Sequence, residues 1–146
     1  MNPMTHIKLC GFADEADANR LGQIKALSEN EIPYLEIRGV DGTNIADLSR
    51  EAALQFKSEL DAAGIQVWSI GSPAGKTNVH EDFDKALEQF RRLLDMAEIF
   101  EAKRIRLFSF YGTDGSDEYF GEVCRRLNVF CDLCDEKGLI PCHENE

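Results

Sequence analysis

The densest group of potential metal ligands in the sequence is the hexapeptide Pro-Cys-His-Glu-Asn-Glu at positions 141–146, which comes directly after a short apolar run. Carboxylate oxygens and imidazole nitrogens bind divalent cations such as Mg²⁺, Mn²⁺, Co²⁺ and Zn²⁺. Successive side chains of a strand point to opposite faces, so Glu144 shares a face with Cys142 while His143 points the other way. If that face is the inner one, Glu144 is the better ligand candidate and His143 the weaker one.

A second group of charges lies in the segment Tyr-Leu-Glu-Ile-Arg at positions 34–38, where Glu36 and Arg38 fall on one face of the predicted strand. Charges on a largely buried strand cost free energy unless they are paired or used by a ligand. Two interpretations stay open, a structural Glu36–Arg38 ion pair or a direct role in holding a substrate.

The segment Gly-Ser-Pro-Ala-Gly-Lys-Thr at positions 71–77 resembles a nucleotide-binding P-loop but lacks its spacing. That motif requires a glycine at position 70, where Ile70 stands, and Pro73 removes one backbone donor. The nucleotide interpretation is therefore rejected. Ser72 and Lys76 remain suited to hold one phosphate or carboxylate group, with an ordinary turn as the alternative.

The remaining chemically active side chains point to structural roles. Cys131 and Cys134 form a CxxC pair inside a predicted helix, without a second pair at zinc-site spacing, and Cys134 continues an apolar stripe. Cys10 and Cys142 are predicted to be small core residues. The other candidates are Tyr111 and Ser109 as hydrogen-bond donors at a strand end, and His6 and His80 as surface residues.

These residues lie on a chain in which strands and helices alternate. Short apolar runs predict strands at Ile7–Phe12, Tyr34–Arg38, Ile65–Ile70, Arg104–Phe110 and Leu139–His143. Four amphipathic stretches between them predict helices, which makes the fold class α/β with a parallel sheet. An open doubly wound sheet and part of a (β/α)₈ barrel both fit. The strands start about 33 residues apart, so eight such units need ~260 residues, near the ~250 typical of a barrel.

Composition excludes several classes of function. The 146 residues contain 27 acidic and 16 basic side chains, a net charge of −11, which argues against a general nucleic-acid binder. No apolar run approaches the ~20 residues of a membrane span. The N-terminus carries no secretory signal, so we predict a cytoplasmic protein with reduced thiols.

Five segments of the sequence together resemble a known family. They are GFADEAD (11–17), YLEIRGVDG (34–42), SIGSPAGK (69–76), KRIRLFSFYG (103–112) and CHENE (142–146). The chain thus resembles sugar phosphate isomerase/epimerase proteins of the xylose isomerase-like (β/α)₈ TIM barrel superfamily, which also includes the endonuclease-four type apurinic enzymes. The likeness identifies residues 1–146 as one domain, the N-terminal part of such a barrel, with about four and a half of its eight units.

The resemblance implies a divalent metal (Mn, Mg, Co or Zn) at the barrel mouth and a sugar or sugar-phosphate substrate. Glu144 corresponds to the family's metal ligand at the end of strand five and is also a candidate catalytic carboxylate. Glu36 matches a mouth-facing catalytic glutamate. The implied substrate contacts are Arg38, Ser72, Lys76 and Tyr111. The implied chemistry is proton transfer next to a carbonyl through an ene-diolate.

The sequence departs from the family in its set of metal ligands, of which Glu144 is the only one present. Family members take an Asp, a His and a second Glu from strands six to eight, and this chain has no counterpart of them. We therefore expect a fragment of a longer protein, a half barrel that pairs with a second copy in a homo-oligomer, or a non-catalytic remnant. Alternative activities within the superfamily are an inosose-dehydratase-like lyase and an endonuclease-type phosphoesterase.

Overall fold

The computed structural model describes residues 7–146, so the prediction for His6 lies outside the described residues. Seven strands are present: Cys10–Gly11 (β1), Tyr34–Ile37 (β2), Gly39–Val40 (β3), Thr43–Asn44 (β4), Gln66–Ile70 (β5), Arg104–Leu107 (β6) and Ile140–His143 (β7). The same residues contain four α-helices: Arg20–Glu29 (α1), Arg50–Ala62 (α2), Phe83–Ile99 (α3) and Asp117–Lys137 (α4). A 3-10 turn at Ala13–Glu15 precedes α1.

Five of the strands form one parallel sheet in the order β1-β2-β5-β6-β7. Each βα unit therefore lies beside the next unit in the chain, as in the wall of a barrel. A doubly wound sheet instead reverses its strand order at a switch point. This order selects the barrel wall between the two predicted architectures and confirms the α/β fold of parallel βα units. The antiparallel pair β3–β4, within the connection from β2 to α2, was not predicted.

Local signals set the helix ends close to where the sequence places them. The Ser49 side chain accepts a hydrogen bond from the amide of Ala52 and caps the start of α2. Gly138 adopts φ 65° at the end of α4, a left-handed conformation that a residue without Cβ enters at little cost.

The hydrophobic core lies between one face of the sheet and the helices. It includes Leu35, Ile37, Ile70 and Ile105 from the strands, and Phe56, Phe90 and Phe130 from the helices, all at most 1% exposed. The rings of Phe90 and Phe130 stack with centroids 4.2 Å apart and join α3 to α4. This packing holds the strand ends, and therefore the candidate site, on a rigid base.

The other face of the sheet, the inner face of the barrel wall, carries charged and aromatic side chains. Lys8 Nζ lies 5.3 Å from the Tyr34 ring centroid and 5.2 Å from that of Trp68, and the Arg104 guanidinium lies 3.9 Å above Trp68. The long side chains cover the rings while their charged ends stay in water.

Two cysteine predictions were wrong for the same reason. Cys10 and Cys142 are exposed rather than core residues, because helices cover only the opposite face of the sheet. Cys134 is buried, as predicted from its place in the apolar stripe of α4. Among residues 7–146, no helix is long and apolar enough to cross a membrane.

Candidate functional site

The carboxyl ends of β2 and β6 and the residues after β7 bring three charged side chains together. The Arg106 Nη1 atom lies 3.2 Å from a carboxylate oxygen of Glu144 and 3.8 Å from one of Glu36. A cleft of about 270 Å³ opens beside them, lined also by Phe12 and Trp68. In parallel α/β folds this edge of the sheet carries the chemistry, so the triad of Glu36, Arg106 and Glu144 is the candidate active site.

Arg106 is fixed from two directions. Its Nη2 donates to the carbonyl of Gly71 at 3.2 Å and its Nε to the carbonyl of Ser72 at 3.4 Å, while its side chain is 13% exposed. The guanidinium carries five donors in a planar fork, so it can hold backbone carbonyls and face carboxylates at the same time. Arg106 therefore sets the spacing of the two glutamates.

Glu36 has the environment of a group that can exchange a proton. Burial raises the pKa of its carboxyl above the ordinary value of 4.5; the charge of Arg106 opposes that rise and the charge of Glu144 adds to it. A carboxyl with a raised pKa is a stronger base than an exposed one and takes up a proton more readily near neutral pH. Glu36 is thus suited to general acid–base chemistry.

Glu144 presents the more accessible carboxylate of the two. Its amide donates to the carbonyl of Leu107 at 2.9 Å, which extends the β6–β7 pairing, and its side chain is 51% exposed. A carboxylate held this way is a suitable oxygen ligand for a divalent cation. Within residues 7–146, however, no group of three or more His, Cys, Asp or Glu side chains is arranged to hold a metal. The described residues therefore do not complete a metal site by themselves.

Arg38 does not pair with Glu36, which corrects the structural interpretation of that segment. Its guanidinium bonds Asp14 at 2.9 and 3.2 Å and Glu15 at 3.1 Å, and it lies over the ring of Phe12. The 3-10 turn places two carboxylates beside the strand end, so Arg38 joins the β1–α1 connection to β2. The cation that faces Glu36 is therefore Arg106, whose Nη1 lies 3.8 Å from its carboxylate.

Ser72 is fully buried, and its hydroxyl is already used. The hydroxyl donates to the carbonyl of Arg106 at 2.5 Å and accepts the amide of Ala74 at 3.1 Å. A side chain without exposed surface does not reach a substrate, so Ser72 supports the strand that carries Arg106. The predicted substrate contact becomes a structural one.

Lys76 and Tyr111 meet at the opening of the site. Both bind the Glu146 side chain, Lys76 through its ammonium group at 2.9 Å and Tyr111 through its hydroxyl at 2.8 Å. The hydrogen bond to Glu146 raises the pKa of Tyr111, and Lys76, followed by Tyr111, lowers the pKa of Glu146. His143 borders both the cleft beside the triad and a groove along α4, and His80 is exposed as predicted.

Arg106 is the residue that sequence reasoning missed. The alternation of charged and apolar residues was a usable signal for Arg106. Arg104 and Arg106 alternate with apolar residues along β6 in the same way that Glu36 does along β2. That alternation places both arginines on the inner face, where a charge needs a partner.

Comparison with known proteins agrees with the fold. The sequence profile described as xylose isomerase-like TIM barrel matches residues 24–146. No curated protein sequence matches the chain. A solved sugar phosphate isomerase/epimerase from Parabacteroides distasonis is similar over 100% of this chain and 53% of its own, with a TM-score of 0.75 and 14% identity.

Two further structures share the fold. A probable 3-DHS dehydratase, AsbF, from Bacillus anthracis aligns over 94% of this chain and 52% of its own, with a TM-score of 0.74 and 19% identity. A xylose isomerase-like TIM barrel protein from Mycobacterium smegmatis, solved in complex with magnesium, aligns over 93% and 54%, with a TM-score of 0.70 and 15% identity. The chain spans about half the length of each of these structures.

Proposed function

The chain belongs to the xylose isomerase-like TIM barrel family, and from that premise we propose that it contributes to a metal-dependent isomerase or epimerase of sugars or sugar phosphates. The observation that carries the proposal is the triad at the strand ends, where one nitrogen of Arg106, Nη1, faces the carboxylates of both Glu36 and Glu144, at 3.8 and 3.2 Å. Two carboxylates beside a cation are what proton transfer next to a carbonyl requires.

In this mechanism Glu36 is the catalytic carboxylate that moves the proton. It removes the proton from the carbon next to the substrate carbonyl, and the electron pair left behind forms an ene-diolate with the carbonyl carbon. Return of the proton to the former carbonyl carbon, together with transfer of the hydroxyl proton from one oxygen of the ene-diolate to the other, moves the carbonyl. Return of the proton to the opposite face of the original carbon inverts the configuration of that carbon. For inversion, the proposed proton donor on the opposite face is Glu144, the second carboxylate that faces Arg106.

Glu144 is also the chain's proposed metal ligand. A bound divalent cation, Mn, Mg, Co or Zn, polarises a carbonyl and stabilises the developing oxyanion. The magnesium complex of the Mycobacterium smegmatis structure supports a metal in this family. The remaining ligands must come from outside residues 7–146. Arg38, Lys76 and Tyr111 are the proposed substrate contacts around this centre.

A lyase is the second candidate, supported by the fold shared with the probable dehydratase over 94% of this chain. Dehydration next to a carbonyl begins with the same proton removal and ends with loss of a hydroxyl group from the next carbon. The same residues would serve an isomerase and a lyase, so identifying the product distinguishes the two activities.

Proton transfer can be tested without knowing the natural substrate. The protein, in the form that supplies the remaining metal ligands, is incubated with Mn²⁺ and a panel of ketoses, aldoses and their phosphates in D₂O, and NMR detects deuterium at the carbon next to the carbonyl. We expect incorporation with wild type and a loss of at least ~100-fold with Glu36→Gln. The control is Glu98→Gln, which removes the same charge at an exposed ion pair with Lys137. A new alkene signal instead of deuterated sugar would favour the lyase.

Metal content tests separately whether Glu144 is a metal ligand. Elemental analysis after dialysis against Mn²⁺ is expected to give a lower metal content for Glu144→Gln than for wild type or Glu98→Gln. An unchanged metal content in the Glu144 variant would contradict the assignment of Glu144 as a metal ligand. Absence of both metal uptake and deuterium incorporation would favour the non-catalytic alternative.

A further inference from the structure

The loops that come after β5 and β6 form one rigid unit at the opening of the site. Four backbone hydrogen bonds of 2.8–2.9 Å join residues 74–79 to residues 108–111. Gly75, at φ 87°, packs so closely against the carbonyl of Phe108 that no side chain fits at position 75. Side chains carried by these two loops are therefore held at a fixed separation.

Backbone strain is concentrated around Tyr111. Its neighbour Phe110 is a buried aromatic residue with φ 68°, a conformation that costs free energy for any residue with a Cβ. Gly112, on the other side, has φ 78° and packs against the side chain of Asn78. Strain of this kind persists where the surrounding structure enforces it, and it frequently marks a binding site. Here it orients Tyr111.

The two side chains that this unit presents already hold an anion. Lys76 Nζ and the Tyr111 hydroxyl lie 2.9 and 2.8 Å from the Glu146 carboxylate, and the Phe108 ring lies 4.3 Å from the ammonium group. One cation and one hydroxyl donor converging on a single carboxylate are also what a phosphate or carboxylate of a small molecule needs.

We propose that Lys76 and Tyr111 form a subsite for an anionic group of the substrate, and that the Glu146 carboxylate occupies this subsite when substrate is absent. The inference rests on the proposed function and adds the substrate class, a sugar that carries a phosphate or a carboxylate. Glu146 comes two residues after Glu144, so their backbones lie at most ~7 Å apart. That separation suits a sugar with its carbonyl at Glu144 and its anionic group at Lys76.

The test uses inorganic phosphate and acetate as probes and monitors the backbone amides of residues 74–79 and 108–111 by NMR titration. Removing the tethered competitor frees the subsite, so Glu146→Gln is expected to lower the dissociation constant for the preferred probe at least about threefold. Glu98→Gln removes the same charge at the Lys137 ion pair and is expected to bind like wild type. Whichever probe binds more tightly identifies the anionic group.

Two loss-of-binding variants complete the design. Lys76→Met is expected to weaken binding at least about tenfold with or without Glu146→Gln, and Tyr111→Phe to weaken it less, because the cation supplies the larger attraction. Thermal unfolding confirms that each variant is folded. Equal binding by Glu146→Gln and Glu98→Gln, or full binding by a folded Lys76→Met, would overturn the proposal.

The titration is independent of the proposed reaction because it is run with a chelator and without turnover. If anion binding fails while Glu144-dependent metal uptake and deuterium incorporation persist, the isomerase proposal stands and the substrate is neutral. If anion binding is found without metal uptake, the subsite stands and the proposed metal-dependent reaction does not.

Discussion

At the scale of single residues, Arg106 gives the candidate site its geometry. Its Nη1 atom faces both Glu36 and Glu144, while Nη2 and Nε donate to the carbonyls of Gly71 and Ser72. Lysine has one ammonium group and no planar fork, so it cannot satisfy the carbonyls and the carboxylates together. Arg106 is therefore the cation that the two carboxylates share, and the charge of Arg38 adds a smaller effect at Glu36.

The raised pKa of Glu36 predicts how stability depends on pH. Burial, the largest cause, makes the folded state bind a proton more tightly than the unfolded chain between the ordinary pKa of 4.5 and the higher folded value. The contribution of Glu36 to the free energy of unfolding is therefore full below pH 4.5 and is lost as pH rises through the folded pKa. Urea unfolding of metal-free protein at pH 4 and pH 7 is expected to show Glu36→Gln gaining stability relative to wild type at the higher pH.

A matched comparison isolates this effect. Glu98→Gln removes the same charge from an exposed ion pair on α3 and controls for the change in net charge. If the stability difference between Glu36→Gln and wild type is the same at both pH values, the raised pKa is contradicted.

Thiol reactivity tests the two faces of the sheet. Burial, followed by the nearby Cys131, raises the pKa of Cys134 to about 12, and its side chain has no exposed surface. Cys10 and Cys142 are exposed on the inner face. Because the thiolate is the reactive form, iodoacetamide at pH 8 is expected to modify Cys10 and Cys142 in the folded protein and Cys134 only after urea is added. Mass spectrometry identifies the order, and early labelling of Cys134 would contradict the burial.

At the scale of elements, the segments that follow β5 and β6 pair with each other as loops and do not continue the strands. The predicted strand Arg104–Phe110 ends at Leu107, because residues 108–111 pair with residues 74–79 of the neighbouring loop instead of continuing beside β7. This pairing fixes the positions of Lys76 and Tyr111, so loop packing builds the opening of the site.

Gly75→Ala tests how tightly the two loops are joined. A methyl group at position 75 would overlap the carbonyl of Phe108 and would also require a side chain at φ 87°. Gly64→Ala is the control, since Gly64 has φ 71° but no atom within 4 Å of the added methyl group. We expect Gly64→Ala to lower the free energy of unfolding by ~1 kcal/mol and Gly75→Ala by at least ~2 kcal/mol more. Equal losses in urea unfolding would mean that the loops separate easily.

At the scale of the whole molecule, the sheet is a section of a barrel wall with one face covered by helices and the other lined with charged and aromatic groups. Three cations, Lys8, Arg104 and Arg106, lie on the inner face, each over an aromatic ring. The chain spans about half the length of the structures it resembles, and its edge strands β1 and β7 each pair on one side only.

Net charge predicts the response to nucleic acid. At −11 the protein repels phosphate at long range, and the inner-face arginines already face carboxylates or aromatic rings. Fluorescence anisotropy with an abasic DNA duplex is therefore expected to show no binding at 50 mM salt, with the undamaged duplex as control. Binding that weakens as salt is raised would support the endonuclease-type alternative.

The sequence predicted the fold better than it predicted the site. Periodicity placed four of the five parallel strands within a few residues; the first was predicted as Ile7–Phe12 but forms only Cys10–Gly11. Glu36 and Glu144 fall at strand ends that the sheet brings together, as alternation along each strand implied. Ser72 and the Glu36–Arg38 pair could not be assigned because their partners, the Arg106 carbonyl and Asp14, lie far away in the sequence.

The sequence by itself determined the alternating βα units, the face on which each strand residue lies and the excess of negative charge, because these depend on periodicity and composition along one segment at a time. Only the tertiary structure decided that Arg106 joins the two glutamates, that Ser72 is internal and that Lys76 and Tyr111 share one anion. Those contacts depend on the register between neighbouring strands and the path of their loops, which are set by packing across the whole sheet.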